Sequence, residues 1–202
     1  MFILLLFVSY IVGSISSAYL ITKWKRKECI FNLGTGNAGA RNVSRLLGKP
    51  YGIVTILLDV LKGIIPIIIA QRFGISGLSL IFIAIAVVCG HNWSIFLHFK
   101  GGNGLASSIG ILLYVIPIEA FISLCIGLMI TYFWKYLPPK LQEITTIDIG
   151  PLFGYFLCPL LALHFNESIY KVIFPFLLGI PIILKRIYFL TQSNYKTLKE
   201  KL

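Results

Sequence analysis

The chain has 202 residues, 57% hydrophobic and only 12% charged, with a net charge of +11 from 18 Lys and Arg against 7 Asp and Glu. A mean hydropathy of +0.89 excludes an ordinary soluble domain, and the apolar residues fall in blocks of about 20, the length that crosses a bilayer as helix. The basic residues sit beside those blocks and not on a polar face, which argues against nucleic acid and for the positive-inside rule together with attraction to anionic lipid.

The expectation is therefore an all-α, polytopic membrane bundle forming a single domain over residues 1–202. The predicted spans are 2–22, 51–71, 75–97, 103–117, 119–135, 147–165 and 168–189. The first block has no basic stretch before its apolar core, so it reads as a retained helix and not as a signal peptide. Little separates the fourth and fifth spans except Pro117 and Glu119, so five crossings plus a re-entrant hairpin is the alternative count.

Charge orients the bundle. Lys23, Lys25, Arg26, Lys27, Arg41, Arg45 and Lys49 lie in the first long connection, with Lys100, Lys135, Lys140 and the tail lysines on the same side. The opposite side holds only Arg72 and Lys171. The amino terminus is expected outside and the carboxyl terminus in the cytoplasm.

Polar chemistry is concentrated in a few places. Gly13-Ser14 interrupts the first span, as a small-residue helix contact or as a hydroxyl facing a site. Residues 34–49 read GTGNAGARNVSRLLGK. Backbone amides freed by Gly34, Gly36 and Gly39 can form an anion-binding concavity. Thr35, Asn37 and Asn42 add donors, and Arg41 and Arg45 add forks that fit phosphate. The stretch lacks the GxxxxGK[ST] of a P-loop, and a glycine-rich turn with ordinary cytoplasmic charge would look the same.

Asp59 and Lys62 lie three apart inside an apolar span, where charges are costly and pair with one another. Residues 90–107 read GHNWSIFLHFKGGNGLAS. His91 and His98 are seven apart and would share a face on a continuous helix. Two histidines make a poor metal site, and Cys29, Cys89, Cys125 and Cys158 are scattered, so no metal is expected. Lys100-Gly101-Gly102-Asn103-Gly104 falls at the predicted cytoplasmic boundary, where it can hold a phosphate whose apolar tail stays in the membrane. A flexible connection with a snorkelling lysine is the plainer reading.

These stretches together resemble one family, the bacterial membrane acyl-phosphate–glycerol-3-phosphate acyltransferases (PlsY type). The family's glycine–serine, GSGNxGATN, arginine, LDxxKG and GHxxPxFxxFKGGKGVAT elements are matched by GSISSAYL, GTGNAGARN, Arg45, LLDVLKG and GHNWSIFLHFKGGNGLAS, in order, over residues 13–108. The resemblance implies a compact seven-helix bundle in the cell membrane with its site open to the cytoplasm. It implies transfer of a fatty acyl group from acyl phosphate to the 1-hydroxyl of glycerol 3-phosphate, giving lysophosphatidic acid, without cofactor or acyl carrier protein. Lys100, Gly101, Gly102, Asn103 and Gly104 would then hold the donor. Gly34, Thr35, Gly36, Asn37, Arg41, Asn42 and Arg45 would hold the acceptor, with Ser14 and His91 as catalytic candidates.

The chain departs from the family pattern at several positions. Cys29, Ile30 and Phe31 stand where an Asp-x-Arg is usual, Arg41 replaces a threonine, Asn103 a lysine and Ser94 a proline. The His-x-x-Asn-Ile-x-Arg stretch near the carboxyl terminus has no histidine counterpart. A paralogue with another acceptor, or a non-catalytic binder of lipid precursors, is the alternative.

Overall fold

A computed structural model of the chain describes residues 1–134, 136 and 149–199. The expected cations Lys135, Lys140 and Lys201 lie outside the described residues. The described chain is helical, and its only β-type pairing is an isolated bridge between Ser94 and Lys100.

The first span is broken in two: α1 (Phe2–Ser14) and α2 (Ser17–Arg26) are separated by extended backbone at Ile15 and Ser16. A 3-10 turn (Ile30–Asn32) and a short α3 (Ala40–Leu47) fill the polar connection. There follow α4 (Lys49–Arg72), α5 (Gly77–Asn92), a 3-10 turn (Ile95–Leu97), α6 (Leu105–Val115), α7 (Pro117–Trp134), α8 (Ile149–His164) and α9 (Ile169–Lys199).

The expected third span, 75–97, is thus corrected: α5 ends at Asn92, where Trp93 leaves the helical region at φ −129°, ψ 70°. The fourth, 103–117, shrinks to the 11 residues of α6, about 16 Å of helix against a hydrocarbon core of about 30 Å. Only Ile116 separates α6 from α7, because the residue before a proline is pushed out of the helical region while proline itself opens a helix well. The tail helix α9 continues ten residues past the expected end. Among the described residues, four stretches are long and apolar enough to cross a membrane, Phe2–Arg26, Lys49–Arg72, Pro117–Trp134 and Ile169–Phe189; Gly77–Asn92, Leu105–Val115 and Phe153–His164 are shorter apolar helices.

Packing follows membrane rules, with apolar residues outside and small residues where backbones meet. Leu57, Leu61, Phe121, Leu128, Phe156 and Ile183 are exposed, whereas Ser14, Asp59, Lys62, His91 and Asn92 are buried. Lipid is as apolar as leucine, so close backbone approach through small residues drives helix association. A Cβ on Gly13 would collide with the Val87 carbonyl and one on Gly90 with the Tyr10 carbonyl, which locks α1 against α5. Gly63 and Gly110 meet the Ser107 and Val60 carbonyls in the same way, locking α4 against α6. Between them lies a core of Ile67, Leu80, Ile83, Val87, Val88, Ile111, Phe174 and Leu178. These contacts carry the break in the first span, the end of α5 and the start of α6 to one end of the bundle.

Candidate active site

The break between α1 and α2 exposes backbone that a membrane interior cannot satisfy with water. The protein satisfies it with side chains. Ser94 Oγ donates to the Ser14 carbonyl at 2.6 Å, and Lys62 Nζ donates to the Ile15 carbonyl at 2.9 Å. Ser16 caps α2 by accepting from the Tyr19 amide at 3.3 Å. Lys62 pairs with Asp59 Oδ1 at 2.8 Å, and Ser17 Oγ donates to the same oxygen at 3.0 Å. Asp59 and Lys62 therefore form the expected ion pair inside the bundle, and the pair fastens the broken helix.

His91, in the last turn of α5, extends this network. Its Nδ1 lies 3.2 Å from Ser107 Oγ and 3.8 Å from Asp59 Oδ1. The other edge of the ring faces Gly102: a Cβ there would strike His91 Nε2 and come within 2.7 Å of the Ala38 carbonyl. The Gly102 amide donates to the His91 carbonyl at 3.1 Å. His98 shares no face with it, because the helix has ended; His98 is exposed with φ 52°.

The contact at Gly102 brings the two glycine loops together, residues 34–39 on one side and 101–104 on the other. Lys100 adds a second link, with Nζ 5.9 Å from the centre of the Phe31 ring. Gly104, at φ 77°, opens α6 and packs against Asn92. The first amides of α6 have no partner within the helix and present the positive end of its dipole beside the loop. Asn103 is half-buried between them.

The first loop is built by Asn42. Its Nδ2 donates to the Leu33 and Asn37 carbonyls, both at 3.0 Å, and its Oδ1 accepts from the Thr35 amide at 3.1 Å. Asn42 is 2% exposed, so its amide is spent on the shape of the loop and is not presented to a ligand. Arg41 and Arg45 are exposed on α3, one turn apart. Ser14 is buried against α5, and its hydroxyl has no hydrogen-bond partner among the described residues.

The sequence offers Lys185, with Lys100, Arg41, Arg45 and Arg186, as a cation that compensates for the missing family residues only if it points into the same cavity. Lys185 is 6% exposed, with Nζ 5.5 Å from the centre of the Trp93 ring. Its helix is pinned to α5 by Asn92 Nδ2, which donates to the Pro181 carbonyl at 2.8 Å. Two apolar clefts, of about 370 and 480 Å³, lie elsewhere, one on α7 (Ile126, Met129, Phe133) and one between α1 and α5 (Leu6, Tyr10, Phe82, Ile85).

Taken together, these features define a multi-pass helical membrane protein with two glycine loops and several cations gathered at one end. Residues 3–199 match the family described as glycerol-3-phosphate acyltransferase, and the chain belongs to it. It is 43% identical to the glycerol-3-phosphate acyltransferase of Thermoanaerobacter pseudethanolicus over 129 residues, 64% of this chain and 65% of that protein, slightly under two thirds of its length. The Fusobacterium nucleatum protein of the same name is 36% identical over 149 residues, 74% of this chain and 76% of that one. The crystal structure of PlsY, an integral membrane glycerol 3-phosphate acyltransferase, in its glycerol 3-phosphate form, aligns over 99% of this chain and 92% of its own, with 30% identity and a TM-score of 0.78. Its lysophosphatidic acid form aligns with a TM-score of 0.76.

Proposed function

We propose that this protein transfers a fatty acyl group from acyl phosphate to the 1-hydroxyl of glycerol 3-phosphate, releasing lysophosphatidic acid and inorganic phosphate. The observation that carries the reading is the junction at Gly102, where both glycine loops and the His91 ring meet without room for a side chain. A donor loop and an acceptor loop held edge to edge bring two substrates into reacting geometry, which removes much of the entropic cost of their encounter.

In this reading Lys100, Gly101, Gly102, Asn103 and Gly104, with the start of α6, bind the donor phosphate and leave its acyl chain in the membrane. Gly34, Thr35, Gly36, Asn37, Arg41 and Arg45 bind the acceptor, while Asn42 holds their loop. The acceptor hydroxyl attacks the acyl carbonyl carbon, and backbone amides stabilise the oxyanion. The carbon–oxygen bond to phosphate then breaks. Phosphate leaves with the electron pair, and its oxygen takes the hydroxyl proton. His91 works from beneath the donor loop by supporting Gly102, and Ser14 supplies an unspent hydroxyl beside Ser94. No acyl carrier protein enters this scheme.

The topology belongs to the same reading: seven crossings of the cell membrane, amino terminus outside, carboxyl terminus and site facing the cytoplasm. A different acceptor is the second reading. Phe31 favours it, since an aromatic ring lies under Lys100 at the place of the family's usual arginine. The test is a donor and acceptor matrix with purified protein in detergent. Palmitoyl phosphate with glycerol 3-phosphate is expected to give lysophosphatidic acid, and palmitoyl-loaded carrier protein is expected to give none. Turnover of palmitoyl phosphate only with another alcohol would select the second reading, and no turnover with any acceptor would overturn both.

A further inference from the structure

We propose that Lys185 is a phosphate-binding residue of the transfer site, supplied from α9. The proposal rests on the acyl-transfer reading and adds a residue that the loop motifs do not contain. Lys185 is 6% exposed, and among the described residues no carboxylate lies within ion-pair distance of it. Its ammonium instead faces two rings, Trp93 at 5.5 Å and Tyr188 at 5.7 Å from their centres. A buried cation at membrane depth is costly and is retained where it meets a counter-charge. Two aromatic faces offset part of that cost and leave the ammonium's hydrogen-bond donors unspent.

The position is that of the site. Trp93 lies between Asn92 and Ser94. Asn92 packs against Gly104 and holds α9 through the Pro181 carbonyl, one turn before Lys185. Ser94 holds the Ser14 carbonyl at the helix break, and the buried Ser14 hydroxyl beside it has no partner among the described residues. A phosphate monoester is the ligand chemistry that suits this spot: a compact dianion for a compact ammonium with three donors. The chain carries asparagine at position 103, where the family pattern has a lysine, so a cation from α9 restores charge that the donor loop has lost.

Both substrates carry such a phosphate, and the experiment separates them. Lys185→Met keeps the length and apolar packing of the side chain, and Lys185→Arg keeps the charge. KM for palmitoyl phosphate and for glycerol 3-phosphate is measured for each, beside calorimetric binding of each compound alone and thermal melting in detergent. The expected result for Lys185→Met is a rise of about 10- to 100-fold in KM and dissociation constant for one of the two phosphates, at unchanged melting temperature. Lys185→Arg restores part of the loss. If the unmutated protein binds phosphates but transfers no acyl group, the acyl-transfer reading fails, and the binding arm alone decides the role of Lys185. Unchanged binding of both compounds in Lys185→Met, binding of neither by the unmutated protein, or a loss that tracks a lowered melting temperature would overturn the proposal.

Discussion

Asn42 and Gly102 show how much of the site rests on side chains, or their absence, that need not touch a substrate. Asn42 makes three hydrogen bonds to the backbone of residues 33–37. Asn42→Ala leaves those buried groups unpaired, at about 1–3 kcal/mol, so a lower melting temperature is expected together with loss of turnover; Asn42→Asp, which sets a carboxylate oxygen against the Leu33 and Asn37 carbonyls that the amide donates to, should lose at least as much. Gly102→Ala places a methyl group against His91 Nε2 and the Ala38 carbonyl. The side chain can turn aside but the carbonyl cannot, so the loops must part. Initial rates should fall by about 100-fold or more, the scale seen when reacting groups are displaced by about 1 Å. The glycines, Asn37, Arg41 and Lys100 are legible in the sequence because glycine and charge are rare between apolar runs. The burial of Lys185 is not, because it depends on which helix lies opposite, and the inward use of Asn42 is not, because it depends on how residues 33–37 fold back on α3.

At the scale of elements, the Asp59–Lys62 pair does for the broken first span what water does for a soluble loop. Removing one partner strands a buried charge, at about 3–5 kcal/mol. Lys62→Met is therefore expected to reduce the folded yield and melting temperature sharply, and Asp59→Asn combined with Lys62→Met to recover part of the loss. A double-mutant cycle by thermal melting checks this; equal losses in the single and double variants would contradict it. The contact of α1 with α5 is tested by Gly90→Ala, which should abolish folding where Gly179→Ala is mild, since a Cβ at Gly90 meets the Tyr10 carbonyl while one at Gly179 meets nothing closer than the Tyr155 ring at 3.7 Å. Helix content was readable from the apolar blocks, but helix ends were not. α5 stops at Asn92, short of the apolar Ile95-Phe96-Leu97 that extends the run, because Gly101 and Gly102 return to the His91 and Asn92 carbonyls, a tertiary contact that the sequence does not announce.

For the whole molecule, the fold is set by small residues within the bundle, and the orientation by the lysines and arginines around it. The positive-inside argument places the connection at 23–50 and the end of α9 on one side, and Arg72 and Lys171 on the other. Single cysteines at position 27 and at position 74, in a background cleared of the four native thiols, should report this with an impermeant maleimide on intact cells. Position 74 is expected to label at once, and position 27 only after the cells are opened; the reverse order would contradict the topology.

The most direct measurement is the coupled release of two products by the purified protein, lysophosphatidic acid and inorganic phosphate, from palmitoyl phosphate and glycerol 3-phosphate. Two glycine loops acting as one transfer site predict equal amounts of both from the unmutated protein and neither from Gly102→Ala in its folded state. Phosphate released without lysophosphatidic acid, or a folded Gly102→Ala variant turning over at the unmutated rate, would contradict it.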